Sequence, residues 1–251
     1  MTTTPSASSD TTESAVVDLS PTDLARELLV ATKVGDDPLP YERALADSDE
    51  DTLREVREDR ATALAFWINL YNAGTQLLLD RRPGLYENPL RSIRFFSATA
   101  VTVGGTGLPL DRIENGLLRA RRSKYGLGYA PKLYVTGFEK RYALADCDPR
   151  VHFALNCGAA SCPAIRAYDP ERIDAQLGLA TRTYLESTVE YDADAGVVRI
   201  PRVFLWFRGD FGGKSGTREF LREYGAIPGD AEPSLSYQSW DWSLTTGKFV
   251  D

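Results

Sequence analysis

The sequence predicts an α+β fold, a single mixed domain in which helices predominate around a small sheet. Three observations predict it. Segments with apolar residues at helical spacing outnumber the short β-branched stretches. Between residues 20 and 251 there is neither an internal repeat nor a linker-like composition. The apolar fraction of 43%, with four Trp, twelve Tyr and ten Phe, suffices for a sizeable core.

Each element follows from local signals. Residues 1–19 are rich in Thr, Ser and Asp and read as a disordered tail. Ser20 and Pro21 then supply a cap and a first turn for the helix "DLARELLVATK". Tyr41 to Asp80 is expected to be mostly helical, charged in its first half and apolar all round in its second, so the second half should be a central buried helix. "RRPG" stops it, and a short hairpin is expected around "AVTVGGTGLPL". "LDRIENGLLRARR" reads as a short helix, "VHFALNC" as a buried strand and "GAASCPAIRAY" as a tight loop. A helix starts at Asp169-Pro170-Glu171, "VEYDADAGVVRIP" is a hairpin, "TREFLREYGAI" a helix and "LSYQSWDWSL" a strand.

The totals exclude several functions. A net charge of −7 argues against a nucleic-acid surface, which needs clustered positive charge. No apolar run is long enough to span a membrane, and the N-terminus lacks the basic start and apolar stretch of a secretory signal. A soluble, cytoplasmic protein is the expectation. Arg outnumbers Lys and Asp outnumbers Glu. That fits a GC-rich genome or a surface adapted to high salt, and the Asp excess tilts toward a salt-loving, halophilic host. Three cysteines do not make a disulfide scaffold, and their odd number leaves at least one thiol unpaired within the chain.

The chemistry concentrates in "CDPRVHFALNCGAASCP", residues 147–163, which holds all three cysteines and the single histidine. On a strand, His152 and Cys157 face opposite ways. The small-residue loop that follows can turn back and bring Cys162 toward His152. Cys162 before Pro163 stands where a thiol feels unpaired N–H groups, which lower its pKa. Cys162 and His152 are therefore the candidate nucleophile and base. Buried packing is the plainer reading of both residues. Zinc held by Cys147, His152, Cys157 and Cys162 is a second option, weakened because a continuous strand points these ligands to different faces. A Cys157–Cys162 disulfide is a third, although the pair is not a CxxC motif.

Other candidates surround this segment. Asn69, Asn72 and Gln76 form one stripe on the apolar helix; they either line a polar pocket or, as favoured here, hold buried loops by hydrogen bonds. Glu114 can orient His152 as the acid of a triad, against the plainer expectation of surface exposure. Asp210 and Asp241, set among large rings, read as caps and turn-makers.

Five ordered segments, Ala65–Ala73, Asp111–Arg119, Asp148–Pro163, Phe204–Phe211 and Trp240–Leu244, resemble the DUF547 family over roughly residues 40–245. The resemblance implies one domain and places Arg150, His152, Cys157, Ser161 and Cys162 in the family's pattern. Cys147 falls outside it, and Asn115 stands where the pattern has a histidine.

The expectation that results is a cysteine-dependent hydrolase or acyl transferase acting on a small-molecule or peptide-like amide or ester. Cys162 is its nucleophile and His152 its base. Glu114, Asn69 or Asn72 orients the imidazole, and N–H groups of the Gly158–Ser161 loop hold the oxyanion. Arg150, Cys157 and Ser161 are expected to bind, and no cofactor is called for. The alternatives are a non-enzymatic interaction module with buried cysteines, and a structural zinc site.

Overall fold

In the computed structural model, the described residues are 16, 18–87 and 89–250. The tail expected over residues 1–19 therefore lies almost wholly outside them. The α+β class holds: helices predominate, and two small sheets accompany them. The chain clusters into two compact units, residues 1–110 with 167–171, and residues 111–166 with 172–251.

The first unit is helical. Helix α1 (Pro21–Val34) begins where Ser20 Oγ accepts the Asp23 N–H and ends at Gly35, whose φ of 79° suits a residue without Cβ. The long helix expected from Tyr41 is three: α2 (Leu39–Asp47), α3 (Arg54–Glu58) and α4 (Arg60–Arg81). Asp59 explains the last break, because its carboxylate accepts the Thr62 N–H and caps α4. Helix α4 is buried nearly all round, as its apolar sequence requires. The expected hairpin is strands β1 (Thr99–Val103) and β2 (Thr106–Pro109), turning at Gly104 and Gly105 with positive φ. Gly74 lets α4 approach β1, since a Cβ there would lie 2.9 Å from that of Ala100.

The second unit departs more from expectation. "RIENGLL" winds as a π-helix, Arg112–Leu118. "VHFALN" is not a strand. Pro149–Phe153 forms a 3₁₀ turn capped by Asp148, whose Oδ1 accepts the Arg150 N–H at 3.0 Å. Asp-Pro is a helix-start signal, and it prevails over the β-branched look of the run. The face alternation that separated His152 from Cys157 falls with the strand.

Helix α5 (Pro89–Ser97) belongs to the first unit, while α6 (Gly137–Tyr142), α7 (Ile173–Thr188), α8 (Val203–Trp206) and α9 (Gly213–Glu223) belong to the second. Strands β3 (Glu190–Asp192) and β4 (Val197–Ile200) form the predicted antiparallel hairpin. Strand β5 (Ser234–Tyr237) joins β4 in parallel. The strand expected over "LSYQSWDWSL" thus ends early, and Leu244 makes only an isolated bridge to Ala159. Phe153, Phe204, Phe211 and Phe220 fill the core with Val198, Ile200 and Leu221. Among the described residues, no helix is long and apolar enough to cross a membrane.

Candidate functional site

The cysteine loop is held from both ends. Asn156 Oδ1 accepts the Gly158 N–H at 2.8 Å, and its Nδ2 donates to the Pro163 carbonyl at 2.6 Å. Gly158 takes a φ of 88°, and the Cys162 N–H closes a turn onto the Ala159 carbonyl at 2.9 Å. The C-terminal stretch then clamps the loop. Ala160 donates to Ser243, Ser161 to Asp241 and Thr245 to Gly158 through their N–H groups, while Ser161 Oγ accepts the Asp241 N–H at 2.8 Å. Lys248 Nζ donates to the carbonyls of Ala160 and Cys162.

This scaffold brings two buried, unbridged thiols together. The sulfurs of Cys157 and Cys162 lie 2.8 Å apart, and the Cys157 N–H points at the Cys162 sulfur from 3.2 Å. Their acidities diverge. Burial would raise the Cys162 thiol. The donors Cys157 S–H, Cys157 N–H and Ala159 N–H, with the Lys248 charge, outweigh burial and bring it below the ordinary cysteine value. Cys157 is pushed well above that value, first by the hydrogen bond it gives to Cys162, then by burial and by the charge of Cys162. Of the two thiols, Cys162 is therefore the more acidic and Cys157 the one that holds its proton more tightly.

Cys162 borders a cleft of about 310 Å³, at the small end of ligand sites. Ser161, Tyr184, Thr183, Arg166 and Lys248 help to line it, and no lining residue is acidic. The Tyr184 hydroxyl donates to the Ser161 carbonyl at 2.9 Å.

His152 belongs to a different cluster. Its Nε2 lies 2.9 Å from Asp210 Oδ2, and its ring stacks on Phe207 at 4.1 Å. Arg119, fully buried where the π-helix ends, donates to Asp210 through Nε at 2.6 Å and Nη2 at 3.2 Å. Arg119 also donates to Asn115 Oδ1 and lies 4.4 Å over the Phe207 ring. Burial would raise the Asp210 carboxyl, but hydrogen bonds from His152 and Arg119 hold it at about 2. Burial holds His152 neutral, its pKa below the ordinary imidazole value. Burial, reinforced by the charge of Asp210, drives the Cys147 thiol far up, so it stays protonated.

Ligand atoms of Cys147, His152 and Asp210 all lie within 4.8 Å of one another, the spacing of a metal site. The chemistry of this set does not fit a cation. Both Asp210 oxygens accept from the Arg119 guanidinium, which would face any added positive charge, and Cys147 is a neutral thiol.

The sequence candidates therefore separate. Cys157, Ser161 and Cys162 come together. Among the described residues no hydrogen bond joins His152 to Cys162. Cys147, His152, Cys157 and Cys162 do not form one metal-ligating group, which removes the four-ligand zinc reading. The acid that meets His152 is Asp210, expected only as a turn-maker, rather than Glu114. The Glu114 charge instead acts on Cys157, raising it further. Arg150 bridges Asp148 at 2.6 Å and Asp174 at 2.5 Å. Asn69 is buried in the first unit, where it donates to the Tyr168 carbonyl at 2.8 Å and accepts the Tyr168 N–H at 2.9 Å. Asn72 is buried on the same helix. The expected oxyanion donors are engaged: the N–H groups of Gly158, Ala160 and Ser161 serve Asn156, Ser243 and Asp241. Sequence reasoning missed Lys248 and Arg166, which no motif marks. It had a signal for Asp210, an acid in an aromatic run.

Neither the curated proteins nor the solved structures contain a match. Residues 56–185 match the family model described as a protein of unknown function, DUF547. The match takes in the π-helix and the whole cysteine loop and ends before Asp210. It spans just over half of the chain, which therefore belongs to the DUF547 family.

Proposed function

We propose that the protein is a cytoplasmic thiol enzyme whose Cys157–Cys162 pair performs two-electron thiol–disulfide exchange. The observation that carries this reading is the 2.8 Å contact between the two sulfurs, with Cys162 acidified and Cys157 holding the proton. The Cys162 thiolate attacks one sulfur of a substrate disulfide. The substrate S–S bond breaks, and its other half leaves as a thiolate that takes the Cys157 proton. The new Cys157 thiolate attacks the Cys162 sulfur, closes the internal disulfide and releases the second half as a thiolate. The protein dithiol loses two electrons and the substrate disulfide gains them.

Acyl transfer to Cys162 from a small or peptide-like amide or ester is the second reading. The small cleft beside Cys162 favours it. His152 is engaged by Asp210 and the loop N–H groups are in use, so the base and the oxyanion hole of a hydrolase have weaker support than the dithiol. The non-enzymatic alternative draws on the burial of both thiols and predicts that they are inert.

Two measurements separate these readings. Iodoacetamide at pH 7 should alkylate Cys162 faster than an ordinary thiol. One equivalent of a small disulfide should remove two titratable thiols per chain, with peptide mapping placing the bridge between Cys157 and Cys162. A stable mixed disulfide on Cys162 with Cys157 still free would overturn the exchange reading. Ordinary reactivity at Cys162 would overturn every thiol reading.

A further inference from the structure

Beyond the π-helix the chain runs through "RSKYGLGYAPKLY", residues 122–134. This stretch folds as a small loop closed at its base, where the Ser123 N–H donates to the Ala130 carbonyl at 2.8 Å and the Lys132 N–H to the Arg121 carbonyl at 2.9 Å. The loop is pinned to the segment before α9. The Gly209 N–H donates to the Leu127 carbonyl at 2.8 Å, and Gly209 leaves no room for a Cβ beside Gly128. The backbone is committed, but the large side chains are not. Tyr125, Tyr134 and Leu133 are 73%, 78% and 105% exposed, and Leu127 and Tyr129 are exposed as well. Holding this shape costs strain. Among the described residues, the non-glycine residues with positive φ are Ala120, Arg121 and Leu127, all at this loop. A bulky side chain is disfavoured there, whereas glycine is not. Single apolar residues scattered on a surface need no explanation, but five within residues 125–134, on a strained and pinned loop, point to a binding surface.

Charge selects the partner. Residues 115–138 hold five basic residues and no acid, in a chain of net −7. Arg119 and Arg122 are tied to Asp210, and Lys132 to Glu139. Arg121 has no ion pair among the described residues. Lys124 meets Asp111 at 3.2 Å with both side chains partly exposed, a setting in which an ion pair is worth little. Its Nζ also stands 5.5 Å from the centre of the Tyr125 ring, so charge and apolar ring are presented together. We infer that this loop docks the protein on an anionic lipid surface, with its leucines and tyrosines entering the interface and Arg121 and Lys124 meeting the phosphates. A fluid bilayer fills in around side chains as free as Leu133 and Tyr134, whereas a protein partner needs a pocket shaped to each. Tyrosine, an apolar ring with a polar tip, suits the headgroup level. The attachment is peripheral, in keeping with described helices that cannot cross a membrane. The inference goes beyond the thiol reading and stands without it; with the cytoplasmic placement proposed above, the surface is the negatively charged inner leaflet.

Flotation of the full chain with vesicles tests this. Vesicles of equal parts phosphatidylcholine and phosphatidylglycerol should carry the protein up the gradient, pure phosphatidylcholine should carry much less, and added salt should narrow the difference. The double variant Leu133→Ser/Tyr134→Ser should lower the partition coefficient at least about tenfold, roughly the effect of one apolar side chain left unburied. Its urea midpoint should match wild type, because both positions are exposed. Leu133→Trp should bind at least as well as wild type, since indole favours the interface; a protein pocket fitted to leucine would reject it. Arg121→Gln should weaken binding to the anionic vesicles about fivefold and leave binding to the neutral ones unchanged. No flotation with either vesicle, or flotation that the double variant does not reduce, overturns the inference. Concentration-dependent self-association that the double variant abolishes, in the absence of flotation, overturns it too and gives the loop to a second copy of the chain.

Discussion

Asp210→Asn is the most informative single change outside the thiol pair. It keeps the size of the side chain and removes its charge. Neither Asp210 nor Arg119 exposes any side-chain surface, so the guanidinium cannot recover its loss from water. Asp210 accepts from Arg119 Nε at 2.6 Å, from Arg119 Nη2 at 3.2 Å and from His152 Nε2 at 2.9 Å. An amide offers one acceptor oxygen, and its NH₂ must face a donor. The carboxyl falls from 3.8 to about 2. At about 1.36 kcal/mol per pH unit this corresponds to about 2.4 kcal/mol. A buried charge stripped of its partner typically costs about 3–5 kcal/mol. The two figures converge on a loss of about 3 kcal/mol. Equilibrium urea unfolding at pH 7 measures it, followed by tryptophan fluorescence. Trp206, Trp240 and Trp242 all lie in the unit that contains Asp210, so the signal reports mainly on that unit. The pH dependence gives a second check with a definite sign. A depressed carboxyl stabilises the fold above its unfolded pKa and ceases to do so as pH falls through the folded one. The difference between wild type and variant should therefore narrow from pH 4 to pH 2. A loss under about 1 kcal/mol, in the range of an exposed pair, or a difference that does not narrow, refutes the reasoning.

The remaining predictions concern both units and the thiol pair. Gly116→Ala should destabilise by about 1–3 kcal/mol despite alanine's helix propensity. Its Cβ would collide with Glu139 Oε1, and Glu139 is buried and tied to Lys132 and Thr136; a urea midpoint equal to wild type contradicts this. Asn69→Ala should cost about 2–4 kcal/mol, because it leaves both main-chain polar groups of Tyr168 without their amide partner; thermal unfolding reads it, and a neutral result means that another group takes over the amide's role. Cys157→Ala removes the S–H donor from the Cys162 sulfur and should slow Cys162 alkylation at pH 7 at least threefold, on the order of one lost hydrogen bond. The rate-against-pH curve should shift upward, and an unmoved curve denies that Cys157 sets the acidity of Cys162. Below about pH 6.5 the fold should weaken as His152, held neutral by burial, gains its proton more readily in the unfolded chain than in the folded one; an acid limb unchanged in His152→Gln argues against that assignment.

The legible parts of this protein are those in which local chemistry decides. Ser20 before Pro21 fixes the start of α1, and the two glycines after Val103 fix a hairpin, whatever the rest of the chain does. "VHFALN" fails for the converse reason: an apolar run is compatible with any buried backbone, and Asp148-Pro149 two residues earlier holds the deciding signal. The same failure runs through the site. Strand alternation was the ground for separating His152 from Cys157, and that strand is a 3₁₀ turn. The contact of Cys157 with Cys162 depends on a turn at Gly158 that alternation does not describe.

Long-range partners were beyond local reading. Asp210 and Lys248 reach the segment from 58 and 86 residues away from His152 and Cys162. What the sequence order conceals, the contacts sort. The "IEN" segment, His152 and the "WFRGDF" segment build a closed ionic network around Phe207. The cysteine loop and the "WDWSL" segment build the thiol site. In the first, the side chains of Arg119, His152 and Asp210 are engaged with one another and almost wholly buried, and Arg122 reaches Asp210 from a partly exposed position. The Cys162 sulfur, 2.8 Å from that of Cys157, instead borders a cleft. The single histidine, the first residue a sequence reader would choose as the base, is held by Asp210, and the proposed chemistry rests instead on two cysteines, of which contact makes Cys162 the more acidic and Cys157 the less.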